Sequence, residues 1–187
     1  MSQHFDIYMS GVGGQGIGLL AEILARAADH AGLIVHGCDT HGLAQRGGMV
    51  TSHLRLGSAR SPLVPDGEAD LVVSLERTEA LRAAVTMLKA GGALVWYDAT
   101  WQALDVRTGE GPAVEAADVS AAAGAKGAAA WRVLVDGLPD SRMQNVAVVA
   151  EILRRGLVPG IRRVHVEAAM ADLMAGPGLA ANLSLLT

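Results

Sequence analysis

One cysteine, Cys38, stands among the 187 residues of this chain. A disulfide needs two thiols, and a four-cysteine zinc or iron–sulfur site needs four, so the chain supplies neither from its own residues. Aromatic side chains are also scarce, at 3%, whereas 51% of the residues are hydrophobic. The core must therefore be built from alanine, valine, leucine and isoleucine, which suits helices layered on a sheet better than an aromatic-lined barrel. Basic residues are outnumbered, with 15 Lys and Arg against 19 Asp and Glu and a net charge of −4. Phosphate backbones are bound by clustered excess cations, so nucleic acid is not an expected partner. No apolar run approaches the ~20 residues that a bilayer-spanning helix needs. The start, MSQHFD, lacks the charged-then-apolar order of a signal peptide. We therefore expect a cytoplasmic location without membrane contact, and one domain covering residues 1–187, a length that buries a sizeable core.

What is present is an alternation of short apolar runs with helical ones. FDIYMS (5–10) reads as a strand, residues 16–31 as an amphipathic helix and LIVHGCDT (33–40) as a second strand. After a glycine-rich loop over 41–48, MVTSHLRLG (49–57) alternates at period two, as a strand with one exposed face does. SPLVPDGEAD has the composition of a surface loop, LVVSLE (71–76) that of a buried strand, and residues 77–90 that of a helix stopped by Gly91 and Gly92. ALVWYDA (93–99) and RVLVDGL read as further strands. Helices are expected over 116–123, over SRMQNVAVVAEILRRG with Ser141 as its cap, and near 165–175, followed by an open end. Repeated strand–helix–strand units predict an α/β fold, a single Rossmann-like domain whose mostly parallel sheet carries helices on both faces.

The motif with chemical content is GVGGQG, because Gly11, Gly13 and Gly16 fit G-x-G-x-x-G directly after a strand and before a helix. In that pattern Gly11 takes the positive φ of the turn, Gly13 lets backbone approach a ligand, and Gly16 lets helix and strand pack closely. Amides at a helix start offer an anion site, and Asp39, about twenty residues on, is where a dinucleotide domain holds ribose hydroxyls. Two readings stay open at this point: an NAD or FAD site, and glycines that serve packing alone. The following loop adds His41, Gln45, Arg46, Gly47 and Gly48, and then Ser52, His53 and Arg55 on a strand. Paired glycines expose backbone amides and arginine offers a fork for phosphate or carboxylate, so this loop reads as a contact surface or as turn chemistry.

Other residues have plainer readings. Cys38 reads as a small buried hydrophobe, and His36 and His53 as half-exposed strand residues without metal-ligand spacing. Ser10 lacks the G-x-S-x-G elbow of a nucleophile. Trp96, Trp101 and Trp131 have no interleaved basic residues and read as core or interface. Glu76 and Asp98 sit at strand ends, lining a crevice or solvated. Arg154 and Arg155 face the carbonyl end of a helix.

Taken in order, GVGGQG with its helix, DTHGLAQRGGMVTSHLRLG and SPLVPDGEADLVVSLE resemble the gamma subunit or domain of the 2-oxoacid:ferredoxin oxidoreductases, in particular the small subunit of the indolepyruvate members. These motifs cover roughly residues 7–76, and GLPDSRMQNVAVVAEILRRGL resembles a later strand–helix segment. The resemblance implies oxidative decarboxylation of a 2-oxoacid, such as an indolepyruvate or arylpyruvate, to an acyl-CoA, with electrons passed to ferredoxin. It implies that thiamine diphosphate, Mg2+ and [4Fe-4S] clusters sit on a large catalytic partner subunit, that coenzyme A is co-substrate, and that no cofactor is bound by this chain alone. It further implies a hetero-oligomer in which the isolated chain is inactive and has no catalytic residue. Gly11, Gly13, Gly14, Gln15 and Gly16, with His41, Gln45, Arg46, Gly47 and Gly48, then shape a shared site near the coenzyme A and substrate entrance. A stand-alone NAD(P)- or FAD-binding Rossmann oxidoreductase, and a structural or regulatory binding protein, are the other readings.

Overall fold

The structure, a computed structural model, describes residues 4–40, 48–101 and 113–186. Six strands form one sheet in the order β2-β3-β1-β4-β5-β6. They are β1 (His4–Val12), β2 (Val35–Thr40), β3 (Met49–Gly57), β4 (Ala69–Ser74), β5 (Leu88–Tyr97) and β6 (Ala129–Val133). Pairing is parallel for β1 with β4, β4 with β5 and β5 with β6, while β3 runs antiparallel between β1 and β2. The expected mostly parallel α/β sheet is thus present, with one strand reversed inside it.

Alternation along the strands sends side chains to opposite faces, and both faces are covered. Ile7, Met9, Leu71, Val73 and Val95 pack beneath α1 (Ile17–His30) and two later helices. Tyr8, Val72, Leu94 and Trp96 pack on the other side, beneath α2 (Arg77–Thr86) and α3 (Ala116–Ala125). Helix α1 buries Ile17, Leu20, Ala21, Leu24, Ala27 and Ala28, a stripe at helical spacing. It ends at Gly32, whose φ of 73° lets the Leu33 amide turn back to Ala28 O.

Several sequence expectations are corrected. The helix expected over 77–90 stops at Thr86, and Gly91 and Gly92 lie inside β5. There the β4–β5 register slips between Ala69 and Leu71, and a Cβ on Gly92 would stand 3.1 Å from Asp70 O. These glycines make a bulge, not a helix stop. Strand β6 begins three residues before RVLVDGL and has ended by Leu134. The Ser141 cap is replaced by Asp140, whose carboxylate accepts from the Arg142 amide at 2.8 Å and starts a 3-10 turn, Ser141–Met143. Helix α4 (Gln144–Arg155) follows, then α5 (Arg163–Leu173). The tail expected to be open is helical: α6 (Gly176–Leu183) leads into a 3-10 turn, Ser184–Leu186, because Leu179, Leu183 and Leu185 find the core.

β3 departs most from its expected half-exposed state, since all of Thr51–Leu56 is buried. The loop over 58–68 folds back across it. His53 Nδ1 accepts from the Val64 amide at 3.1 Å, and burial lowers the His53 pKa. The Arg55 guanidinium donates to Asp6 at 2.8 and 2.9 Å and also to the carbonyls of Ser61 and Leu63. Cys38, on the edge strand β2, is half-buried. No helix among the described residues is long and apolar enough to cross a membrane.

Candidate functional site

Helix α1 leaves β1 toward one side of the sheet, and the chain later returns on the other side as β4. The carboxyl ends of β1 and β4 therefore flank the point where strand order reverses, the usual ligand crevice of an α/β sheet. GVGGQG lies there, but its glycines divide their tasks differently from the motif's expectation. Gly11 is still paired in β1, opposite Val50, and has no positive φ. Its missing side chain leaves room for its neighbours, because a Cβ would stand 2.9 Å from Ile17 Cδ1 and 3.0 Å from Gln15 Oε1 and push both side chains aside. The turn itself uses Gly14, at φ 101°, and Gly16, at φ 88°. Gly16 is the N-cap of α1, and a Cβ there would lie 2.8 Å from Asn145 Nδ2. Gly13 donates its amide to Gly48 O at 2.9 Å, tying the turn to the start of β3.

Gln15 is 1% exposed, and its side chain enters the crevice. Its Oε1 accepts from the Val12 amide at 2.7 Å and its Nε2 donates to Leu75 O at 2.8 Å. The inner side of the turn is thereby closed by protein. Among the described residues the outer side is open: none lies within 4 Å of a Cβ on Gly14, and Val12, Gly13, Gly14, Gly16, Ile17, Gly18 and Val50 line a cleft of about 310 Å³. Of the loop residues named with the turn, Gly48 is placed beside it; His41, Gln45, Arg46 and Gly47 lie outside the described residues. Sequence reasoning missed Asn145, which is buried, reaches Gly16 O at 3.4 Å and holds the Val146 amide. Its signal was the polar pair Gln144 and Asn145 on the buried face of an apolar helix.

Asp39 is not where a dinucleotide domain needs it. With β3 between β2 and β1, its carboxylate belongs to a strand two removed from the glycine turn, roughly 10 Å away in place of the usual 5 Å. It accepts instead from Ser52 Oγ at 2.5 Å.

The next strand ends are buried rather than solvated. Glu76, 1% exposed, caps α2 by accepting from the Glu79 amide at 3.0 Å, and burial raises its pKa against those hydrogen bonds. Burial also raises Glu79, with Arg82 opposing. For Asp98, burial raises the carboxyl, but hydrogen bonds and charge from Arg77 and Arg132 outweigh it and leave the pKa below its ordinary value. The raised Glu76 carboxyl binds its proton more tightly folded than unfolded, so its contribution to stability is present at low pH and lost as pH rises through the folded pKa. Glu76→Gln keeps an oxygen for the cap and removes that loss. Urea midpoints between about pH 4 and 7 are expected to fall less steeply with pH in Glu76→Gln than in the parent. An unchanged slope would reject the assignment.

Ser10 and Ser74 join β1 to β4 through hydroxyls 2.6 Å apart, both buried. Trp96 is in the core, Trp101 is exposed, and Trp131 lies under the Arg155 guanidinium at 5.5 Å. Among the described residues, no three of His, Cys, Asp and Glu come together as a metal site would require.

The profile of the family described as pyruvate ferredoxin/flavodoxin oxidoreductase matches residues 6–187. The chain is 53% identical over 77 residues to an indolepyruvate oxidoreductase subunit, IorB, of Archaeoglobus fulgidus, covering 41% of this chain and 38% of that one. It is 42% identical over 91 residues to the same subunit of Thermococcus kodakarensis, covering 48% and 45%. The matched segments thus span under half of these relatives. Among solved structures, the pyruvate oxidoreductase subunit PORC of Thermotoga maritima aligns with a TM-score of 0.67 at 21% identity, over 98% of this chain and 93% of that one. The 2-oxoglutarate:ferredoxin oxidoreductase of Magnetococcus marinus, with 2-oxoglutarate, coenzyme A and succinyl-CoA bound, aligns with a TM-score of 0.69 at 19% identity, over 100% of this chain and 30% of that one.

Proposed function

Given that the chain belongs to the pyruvate ferredoxin/flavodoxin oxidoreductase family, we propose that it is the small accessory subunit of a thiamine-diphosphate-dependent 2-oxoacid:ferredoxin oxidoreductase acting on indolepyruvate or an arylpyruvate. In this reading residues 1–187 form one gamma-type domain in a cytoplasmic hetero-oligomer. The large partner carries thiamine diphosphate, Mg2+ and [4Fe-4S] clusters, which supply decarboxylation and electron transfer to ferredoxin. Coenzyme A accepts the acyl group.

The observation that carries the reading is the two-sided glycine turn. Gln15 fills the crevice side, where a private dinucleotide would sit, while Gly13, Gly14 and Gly16 turn backbone toward the outer cleft. An open N-terminal end of α1 favours a negatively charged group approaching from outside. Gly11 supports the turn by its lack of a side chain, and Gly48 anchors it through Gly13. His41, Gln45, Arg46 and Gly47, outside the described residues, are assigned to the same entrance by the family resemblance, with Arg46 offering a fork to phosphate or carboxylate.

The test is reconstitution with the large chain. The complex should reduce a dye acceptor with indolepyruvate and coenzyme A, and neither chain alone should do so. Arg46→Ala should raise the KM for coenzyme A about tenfold or more, the loss of one charge-assisted contact, with assembly unchanged. Titration of the isolated chain separates the competing class: micromolar binding of NAD, NADP or FAD would establish a stand-alone Rossmann oxidoreductase instead. An active, intact complex indifferent to Arg46 and to the glycine turn would leave only a structural role.

A further inference from the structure

β6 is the last strand of the sheet, and among the described strands it pairs only with β5. Beside its carboxyl end, against α4, lies a groove of about 590 Å³ whose walls include Arg132, Leu134, Glu151, Arg154 and Arg163. Leu134 is apolar yet 54% exposed.

The charges around this groove are layered. Asp98 is buried and receives both Arg77 and Arg132; Glu151 is buried and receives both Arg154 and Arg155. Two carboxylates thus lie beneath four guanidiniums, and the side chains of Arg132 and Arg154 remain 52% and 70% exposed. Arg163 is balanced by Glu167. With Glu115 3.9 Å from Arg77 as a third carboxylate, the cluster carries one positive charge in excess, presented on the exposed Arg132 and Arg154 of a chain whose net charge is −4. Complementarity asks for an acidic occupant. A strand edge unpaired among the described residues offers main-chain hydrogen bonds and Leu134 an apolar contact, which a small anion would leave unused and an extended polypeptide would satisfy.

We propose that this groove receives an extended, carboxylate-bearing segment of the large catalytic chain, added alongside β6, an assignment that rests on the subunit reading above. The full-length tagged chain is purified with its large partner, as parent, Leu134→Asp and the double variant Leu134→Asp with Arg154→Gln, which leaves Glu151 its Arg155 partner. Both substituted positions are exposed, and melting curves establish that the variants fold. Native mass spectrometry should show about tenfold less large chain held by the double variant, and parent complexes should dissociate with added salt. Amide exchange at Trp131–Leu134 should slow on assembly of the parent. Equal retention by all variants with unchanged exchange at these amides overturns the groove assignment and leaves the subunit reading standing. Protection of the same amides by a second copy of this chain also overturns it. Failure of the parent itself to bind a large chain removes the subunit reading and the occupant together.

Discussion

Arg55→Met is expected to cost the fold about 3–5 kcal/mol, because it leaves the buried Asp6 carboxylate with only the half-buried His4 imidazole, 3.4 Å away, in place of a guanidinium. Asp6 and Arg55 are directly opposite in the β1–β3 register, and Asp6 is 1% exposed. The guanidinium meets it with two parallel bonds, Nε to Oδ1 at 2.8 Å and Nη2 to Oδ2 at 2.9 Å, the fork-on-fork arrangement that lysine cannot reproduce. The same arginine holds the carbonyls of Ser61 and Leu63, so the loop over 58–68 loses its anchor as well. For a domain of this size the loss corresponds to a melting temperature lower by roughly 6–20 °C. Adding Asp6→Leu to Arg55→Met should recover most of the deficit, since the isolated charge, more than the lost attraction, carries the cost. Denaturant unfolding of the two single variants and the double variant measures the coupling; a single-variant loss below about 1 kcal/mol would contradict the argument.

The second large effect is at Gln15. Gln15→Leu preserves bulk in the crevice but removes the partners of the Val12 amide and Leu75 carbonyl, both held by one side chain. Leaving a buried backbone group unsatisfied costs about 1–3 kcal/mol, so the pair amounts to about 2–6 kcal/mol. The reading specific to this brace is hydrogen exchange: the Val12 amide should lose protection well before the amides of β4. If Val12 exchange matches the parent, the side chain is packing filler and the closed crevice must be explained otherwise.

Much of the layer order was legible because period-two and period-3.6 patterns report which faces are buried. The strand before GVGGQG, the helix after it and the apolar runs of β4 and β5 appear where the patterns place them. The misreadings share a cause: the burial was supplied by distant chain. MVTSHLRLG alternates like an exposed-face strand, yet the 58–68 loop and Asp6 bury its polar side. Gly91 and Gly92 look like a helix stop, but a register slip against β4 uses them. The α6 leucines show their stripe only once a core exists to receive it.

The site was legible in position and misread in detail. Local spacing located the glycine turn, but the left-handed residues are Gly14 and Gly16, because β1 continues through Gly11 to Val12. Gln15 was named, though its reach to Leu75, sixty residues on, has no local signature. Asp39 was the natural ribose anchor only if β2 adjoined β1, and the insertion of β3 has no mark in the local pattern.

That inserted strand also sets an order of events during synthesis. Both lateral neighbours of β1, namely β3 and β4, lie downstream of it, and the second ends at Ser74. A ribosome releasing residues at about 5–20 per second therefore leaves both edges of β1 uncovered for seconds. Chaperone occupancy on stalled translation products should peak before Ser74 emerges from the exit tunnel and fall after it.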